Sequence, residues 1–217
     1  MNTFIITAGG IGKRMGGHLP KQFLLVKEKP ILLYTLERFY EADPFSEIFI
    51  TLPEDWVDYW NELLNKHTCS IPHTIITGGI ERYDSIKNAL NVSTGTIISV
   101  HDGVRPCVSI ETIHNCINSA KENGSGVPYL PVKESLRKMQ HQTSEAVNRQ
   151  EYVLVQTPQS FSVSILKKAY ELPFHEGITD DASLVEEAGF QIHLVKGNEE
   201  NIKITTPMDL ELVNVLL

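Results

Sequence analysis

No apolar run in these 217 residues approaches the roughly 20 needed to span a bilayer, so no membrane segment is expected. The start of the chain lacks the basic stretch, apolar core and small-residue cleavage site of a secretory signal, Phe4–Thr7 being too short to serve as one. Cysteine is scarce and odd in number: Cys69, Cys107 and Cys116 show no paired spacing. That excludes a disulfide framework or a cysteine-built zinc site and points to a reducing, cytoplasmic setting. Excess positive charge is missing too. Against 27 acidic residues stand 19 Lys and Arg, a net charge of −8. This excludes a general nucleic-acid or membrane-surface binder but leaves room for a local basic pocket. Repeats, low-complexity tracts and Pro/Gly linkers are absent as well. The length suits one substantial core, so a single domain over 1–217 is expected.

Present instead is a regular alternation of short apolar runs and amphipathic stretches. Strands are expected at Thr3–Thr7, Glu47–Leu52, Thr74–Ile76, Ile97–Val100, Gly126–Leu130, Tyr152–Val155 and Gln191–Val195. Helices are expected at Ile31–Glu41, Trp56–Lys66, Asp84–Leu90, Ile110–Asn123, Ser162–Leu172, Asp181–Glu187 and Pro207–Leu217, the last with Thr206 as N-cap and Pro207 at its first position. Such alternation implies an α/β fold, a Rossmann-like and mostly parallel sheet flanked by helices, whose ligands bind at the carboxyl ends of the strands. Residues 133–149 break the pattern, being mostly polar with Leu136, Met139 and Val147 scattered among them. Long structureless loops are uncommon in compact domains, and the expectation is a protruding β-arm that turns near His141–Ser144 and packs on another subunit.

The first expected strand runs into Ala8-Gly9-Gly10-Ile11-Gly12-Lys13-Arg14, with Lys21 close behind. Glycines let backbone N–H groups approach an anion, and two cations at the exit of the turn suit a nucleoside triphosphate. No Gly-Lys-Ser/Thr follows, so the loop is not a Walker A motif, and Met15 stands where the third glycine of a dinucleotide fingerprint belongs. At the end of Ile97–Val100 come His101, Asp102, Gly103 and Arg105. A carboxylate at that strand end can hold Mg²⁺ on phosphate oxygens, or it can simply pair with Arg105 across the loop. His101 reads as a structural histidine beneath that loop. Cys107 reads as a buried inert thiol rather than a reactive one. Gly78-Gly79 with Arg82 and Ser85 forms a third cluster, whose backbone amides and one hydroxyl are the kind of neutral groups that read a nucleobase edge. Asp180 and Asp181 suit a helix N-terminus as well as an anion-binding segment, and Lys203 lies in an alternating stretch.

Five motifs occurring in order carry a resemblance over about residues 3–212. They are Ala8-Gly9-Gly10-x-Gly12-x-Arg14-Met15 with Pro20-Lys21-Gln22-Phe23, Gly78-Gly79-x-Glu81-Arg82, His101-Asp102-Gly103-x-Arg105-Pro106, Gln156-Thr157-Pro158-Gln159 and Asn201-Ile202-Lys203-Ile204-Thr205. The chain resembles the 2-C-methyl-D-erythritol 4-phosphate cytidylyltransferases of the non-mevalonate isoprenoid pathway. The resemblance implies a fold of the nucleotide-diphospho-sugar transferase type. It implies transfer of a cytidylyl group from CTP to methylerythritol phosphate with release of pyrophosphate. It also implies Mg²⁺ as cofactor, and a homodimer whose arms, residues 133–149, are exchanged. Arg14, Lys21 and Lys203 would then act in catalysis, and Asp102 would hold the metal. Ala8, Gly9, Gly10, Gly12, Gly79, Ser85 and Gly103 would bind CTP, while Arg105, Ser135, Arg149, Thr157 and Thr179 would bind the acceptor.

Two departures bear on the acceptor. The family's usual Asp-Thr in the arm is Glu134-Ser135 here, and the often acidic residue after Gly79 is Ile80. A ribitol 5-phosphate cytidylyltransferase, which shares fold and motifs, is the neighbouring reading. A noncatalytic nucleotide-binding module is the reading from another class, opposed by the intact set Arg14, Lys21, Asp102 and Lys203.

Overall fold

The computed structural model describes residues 1–10 and 19–217. Among them the chain runs β1 (Asn2–Thr7), β2 (Leu25–Val26), β3 (Lys29–Pro30), α1 (Ile31–Ala42), β4 (Glu47–Leu52), α2 (Val57–Lys66), β5 (Thr74–Thr77), α3 (Arg82–Val92), β6 (Ile97–Asp102) and α4 (Ile110–Asn123). It continues through β7 (Ser125–Pro131), β8 (Arg137–Gln140), β9 (Thr143–Ala146), β10 (Val153–Val155), β11 (Gln159–Ser162), α5 (Val163–Ala169), α6 (Asp181–Glu187), β12 (Leu194–Lys196) and α7 (Pro207–Leu216). The central sheet has the order β10-β7-β11-β6-β1-β4-β5, with β12 also paired to β7. Strands β6, β1, β4 and β5 are mutually parallel, whereas β11 runs antiparallel to both β6 and β7.

Strand β1 explains the layering. Phe4, Ile5 and Ile6 are all fully buried, and the period of two sends them to opposite faces. Phe4 and Ile6 join the core beneath α1, α2 and α4, with Leu36, Phe39, Trp60 and Ile117. Ile5 joins the core beneath α3, α5 and α6, with Ile86, Phe161, Leu166 and Leu184. A strand apolar on both faces must be covered twice, so the sheet lies between two helical layers.

Local chemistry sets the helix ends. Ser109 Oγ accepts from Thr112 N at the start of α4, and Gly124 at φ 88° closes that helix in the left-handed region an L side chain avoids. Thr206 caps α7 with Pro207 in the first turn, as its sequence led one to expect, and Asp209 completes a capping box. Asp180 likewise caps α6 in a box with Ser183.

Three expectations need correction. Strand β11 was not foreseen: its four residues Gln-Ser-Phe-Ser carry one large apolar side chain, and only its pairing with β6 and β7 makes it a strand. The helix expected over Ser162–Leu172 spans Val163–Ala169, because Ser162 still belongs to that strand. The strand expected at Gln191–Val195 lies at Leu194–Lys196. Before it the chain is held by the Ser125 hydroxyl, which donates to Gln191 O and accepts from His193 N in place of a ladder. The expected arm is a hairpin: among the described residues β8 and β9 pair only with each other, and they turn at His141.

Ile6→Ala is expected to lower the unfolding free energy by about 2–5 kcal/mol in urea denaturation, the cost of a cavity in a closed core. Phe45→Ala, at a side chain 89% exposed, is expected to stay within about 0.5 kcal/mol of wild type.

Candidate active site

The carboxyl ends of the parallel strands open into a cleft of about 400 Å³. The loop leaving β1 brings Ala8, Gly9 and Gly10 to its wall, the segment after β5 brings Gly79, Ile80 and Arg82, and β6 ends in it at Asp102. Lys21, Ser85 and Lys203 complete the sequence-chosen residues that line it. Gly12 and Arg14 lie outside the described residues. The loop is anchored by Ala8 N donating to Thr51 O and by Gln22 Nε2 donating to Ala8 O at 2.5 Å. Gln22 is buried, and sequence reading assigned it no role.

Asp102 is the electrostatic centre of the cleft. It is 6% exposed, a burial that by itself opposes ionisation. The charges of Arg82, Lys203 and Arg105 outweigh that cost and hold the carboxyl well below the usual carboxylate range. Oδ2 accepts from Arg105 Nε at 3.0 Å and lies 3.1 Å from Lys203 Nζ. Oδ1 has only Arg82 Nε, at 3.9 Å, and no hydrogen bond among the described residues. The loop ion pair between Asp102 and Arg105 is therefore present, and it coexists with a carboxylate that faces the cleft.

His101 beneath it is fully buried, and desolvation lowers its imidazole to about 3. The ring is neutral at pH 7, and its neighbours fix its tautomer. Arg105 O can only accept, so Nε2 carries the hydrogen at 3.1 Å, and Nδ1 accepts from Thr157 Oγ1 at 3.0 Å. Thr157 Oγ1 in turn accepts from Asp102 N at 3.2 Å. This chain of bonds fixes the strand end that carries Asp102. Thr157 does not line the cleft: its hydroxyl is spent on His101 and the amide of Asp102. The reading of His101 as structural agrees with this geometry.

One extended segment carries Lys203 and supplies a partner for Lys21. Arg105 Nη1 donates to Asn201 O at 2.8 Å, Asn201 Nδ2 donates to Thr157 O at 2.7 Å, and Ile204 N donates to Val104 O at 3.0 Å. Within this frame Lys203 turns to Asp102, and Lys21 Nζ donates to Ile204 O at 3.1 Å. At the other end of the cleft, Gly79 N donates to Ser85 Oγ at 3.0 Å, and that hydroxyl donates to Glu81 O. A Cβ on Gly79 would come within 2.2 Å of Asp84 Cβ, so glycine is required there. Gly103 sits under the loop, its amide donating to Thr7 O at 2.9 Å.

The acceptor candidates are dispersed. Arg105 is committed to Asp102 and Asn201, and Thr179 lines a smaller neighbouring cavity of about 130 Å³ beside Arg82 and Asp181. Ser135 and Arg149 are exposed on the arm, where Arg149 Nη1 donates to Lys133 O. Cys107 is buried, which pushes its thiol up to about 11 and fits the inert reading. Asp181, readable from its position as an acid at a helix N-terminus, is buried and paired to Arg82 at 2.7 Å; that local role hid a partner 99 residues away.

A family model described as 2-C-methyl-D-erythritol 4-phosphate cytidylyltransferase matches residues 3–217. The enzyme of that name from Bacteroides thetaiotaomicron is 47% identical over 214 residues, 98% of either chain. Its namesake from Bacteroides fragilis is 46% identical over 216 residues, 99% of either chain. Among solved structures, the Francisella tularensis cytidylyltransferase of this name superposes with a TM-score of 0.81 at 31% identity, covering 100% of this chain and 99% of that one. A 4-diphosphocytidyl-2C-methyl-D-erythritol synthase from Anaerococcus prevotii gives 0.86 at 25% identity over 99% of this chain and 95% of that one.

The buried neutral imidazole has a consequence for stability. On unfolding, His101 returns to about 6.5 and takes up protons that the folded state refuses. Its contribution is complete above that pH and is lost as the pH falls towards about 3, at about 1.4 kcal/mol per pH unit between the two values. Asp102 has the same sign further down, losing its contribution below the ordinary carboxylate value of 3.8. Urea unfolding is expected to show stability declining from pH 6.5 to pH 5; a flat profile would contradict the buried neutral ring.

Proposed function

The chain belongs to the 2-C-methyl-D-erythritol 4-phosphate cytidylyltransferase family, and from that premise we propose that its cleft performs the transfer with Asp102 at its centre. The enzyme is a nucleotidyltransferase: it moves the cytidylyl group of CTP to 2-C-methyl-D-erythritol 4-phosphate, giving 4-diphosphocytidyl-2-C-methyl-D-erythritol and pyrophosphate in isoprenoid precursor synthesis. The observation that carries the proposed site is one buried carboxylate held by three cations at the end of β6, opposite a glycine loop and Lys21.

In our reading Ala8, Gly9 and Gly10, with Gly12 and Arg14, receive the triphosphate on backbone amides and positive charge. Gly79 and Ser85, with Gly103 behind the loop, take the cytidine end. An oxygen of the acceptor phosphate attacks the α-phosphorus; the new P–O bond forms as the bond to the bridging oxygen of pyrophosphate breaks. That phosphate is already ionised at pH 7, so no side-chain base is required. The problem is repulsion between two polyanions and the charge that gathers on phosphorus. Lys21, Lys203 and Arg14 answer it with positive charge, and Arg105 and Thr179 hold the acceptor phosphate for in-line approach. Thr157 supports the site from behind, through His101 and Asp102.

A Mg²⁺ ion fits the donor set that Asp102 offers. No group of three or more His, Cys, Asp or Glu able to hold a metal occurs among the described residues, so a cation must complete its shell with phosphate oxygens and water, as Mg²⁺ does. Asp102 would hold it, Oδ1 being clear of hydrogen bonds among the described residues, and its chemistry would be to neutralise phosphate charge.

We read the hairpin as a dimer arm that carries Ser135 and Arg149 to the neighbouring subunit's acceptor. Supporting this, Met139 is 72% exposed, and Tyr152, Val153, Leu154 and Val155 form a continuous exposed apolar run. For the location of the enzyme, no helix among the described residues is long and apolar enough to cross a membrane, and a cytoplasmic setting is our reading.

Pyrophosphate release with CTP and methylerythritol phosphate tests the catalytic assignments. Lys21→Ala and Lys203→Ala are each expected to lower turnover by ~10²–10³, the usual loss for one transition-state donor; undiminished turnover in both would refute their roles. Arm exchange is tested by mixing two inactive variants, Asp102→Asn and Arg149→Ala. Random mixed dimers with crossed arms recover about one quarter of wild-type sites, since half are heterodimers with one intact site each. No recovery is expected if each arm serves its own subunit.

A further inference from the structure

The ion pair between Arg82, in the cleft wall, and the fully buried Asp181 has so far been given no part in the transfer. Arg82 is the first residue of α3, a position where the helix dipole disfavours a cation. Nothing local calls for arginine there; what holds it comes from elsewhere in the chain. Arg82 Nη2 donates to Asp181 Oδ2 at 2.7 Å, and its Nε lies 3.9 Å from Asp102 Oδ1. One guanidinium thus joins the cleft carboxylate to a second carboxylate whose side chain is fully buried.

The far anchor is rigid. Asp181 Oδ1 accepts from Tyr170 Oη at 2.6 Å, so both its oxygens are engaged. The Tyr170 ring stacks on Tyr83 with centroids 4.8 Å apart, and Tyr83 Oη donates to Tyr170 O. Gln159, from the sheet, donates to Asp180 Oδ2 and accepts from Ala182 N, which fixes the start of α6. Asp102 by contrast has one exposed neighbour: Lys203 is nearly half exposed, and we take it to turn to phosphate when the nucleotide binds. When it does, the carboxylate keeps Arg105 on Oδ2 and Arg82 near Oδ1. Arg82 is too distant to hydrogen-bond that oxygen, so it can bias the orientation of the carboxylate without covering Oδ1.

We propose that Arg82 is a positioning residue for the transfer: anchored by Asp181, it holds the Asp102 carboxylate with Oδ1 turned to the phosphates of the bound nucleotide. The inference rests on the reading of Asp102 as the residue that serves the phosphates and their cation. It predicts that residues remote from the substrates, Asp181 and Tyr170, affect the reaction through Arg82.

The test measures turnover against Mg²⁺ concentration, calorimetric CTP binding with and without Mg²⁺, and the unfolding midpoint. Arg82→Gln and Asp181→Asn are each expected to lower turnover roughly 10–100-fold, as loss of a group that orients a metal ligand does. The Mg²⁺-dependent part of CTP binding should weaken in parallel, with metal-free binding changed much less, and Arg82→Lys should recover part of both. If Arg82→Gln or Asp181→Asn fails to fold, Tyr170→Phe keeps the stacked ring and removes only the hydroxyl on Asp181; a several-fold loss of the same two quantities is expected. Full turnover and Mg²⁺-dependent binding in Asp181→Asn beside a loss in Arg82→Gln would overturn the proposal, since Arg82 would then act on the ligand directly. So would wild-type behaviour of a folded Arg82→Gln, or of Tyr170→Phe where that variant stands in. Asp102→Asn separates the two levels. Its failure to reduce turnover would remove the underlying reading, whereas its loss of turnover beside unaffected Arg82 and Asp181 variants would sink this inference alone.

Discussion

A carboxylate kept ionised out of water is the constraint on which this site depends. Burial alone would drive Asp102 to its neutral form, and an isolated buried charge is costly enough to forbid the arrangement. Three cations reverse that balance, and each arrives on a different part of the chain: Arg82 from the start of α3, Arg105 from the loop after β6, and Lys203 from the segment before α7. Holding them together requires the sheet order that puts β6 beside β1 and β11. Fold and charge are thus one problem here. Asp102 cannot stay ionised inside the closed sheet without the cations, and the cations meet only where the sheet brings them.

Such a site is charged before any ligand enters, and this suits phosphoryl chemistry. Fixed positive groups need not reorganise as charge develops on phosphorus, which makes them more effective than mobile water dipoles. The neutral His101 has a part in this. A protonated ring beneath Asp102 would add a further cation where none can be solvated; a neutral ring instead ties Thr157 and the Arg105 carbonyl into one unit. Lys203 is the exposed member of the group, and exchanging Asp102 for phosphate is a small movement for a long side chain. Arg105 and Arg82 are more firmly tied and preserve the frame when it moves.

How much of this was legible in the sequence depended on the range of the interaction. The double-sided burial of β1 and the caps of α6 and α7 follow from residues a few positions apart, and they were readable. So were the glycine loop, Asp102 at a strand end and the arm, whose polar composition sets it apart from its surroundings. Strand β11 was not, because four residues with one phenylalanine become a strand only between two partners already in place. The Arg82–Asp181 pair was hidden for the same reason: the two lie 99 residues apart, and Asp181 has an adequate local explanation in the first turn of α6. For Thr157 the direction of the side chain was not legible. Its motif suggested contact with substrate, whereas its hydroxyl is taken up behind the site. Local patterns disclose which residues matter sooner than they disclose which way those residues face.

The account stands on Asp102 as the point where the nucleotide's phosphates meet the protein. Crystals grown with CTP and Mn²⁺, and measured for anomalous scattering, examine that directly. An anomalous peak at about 2.1–2.2 Å from an Asp102 oxygen, shared with triphosphate oxygens and accompanied by movement of Lys203 onto phosphate, is the predicted result. A triphosphate bound with its cation away from Asp102, the carboxylate still paired to Arg82, Arg105 and Lys203, would contradict it.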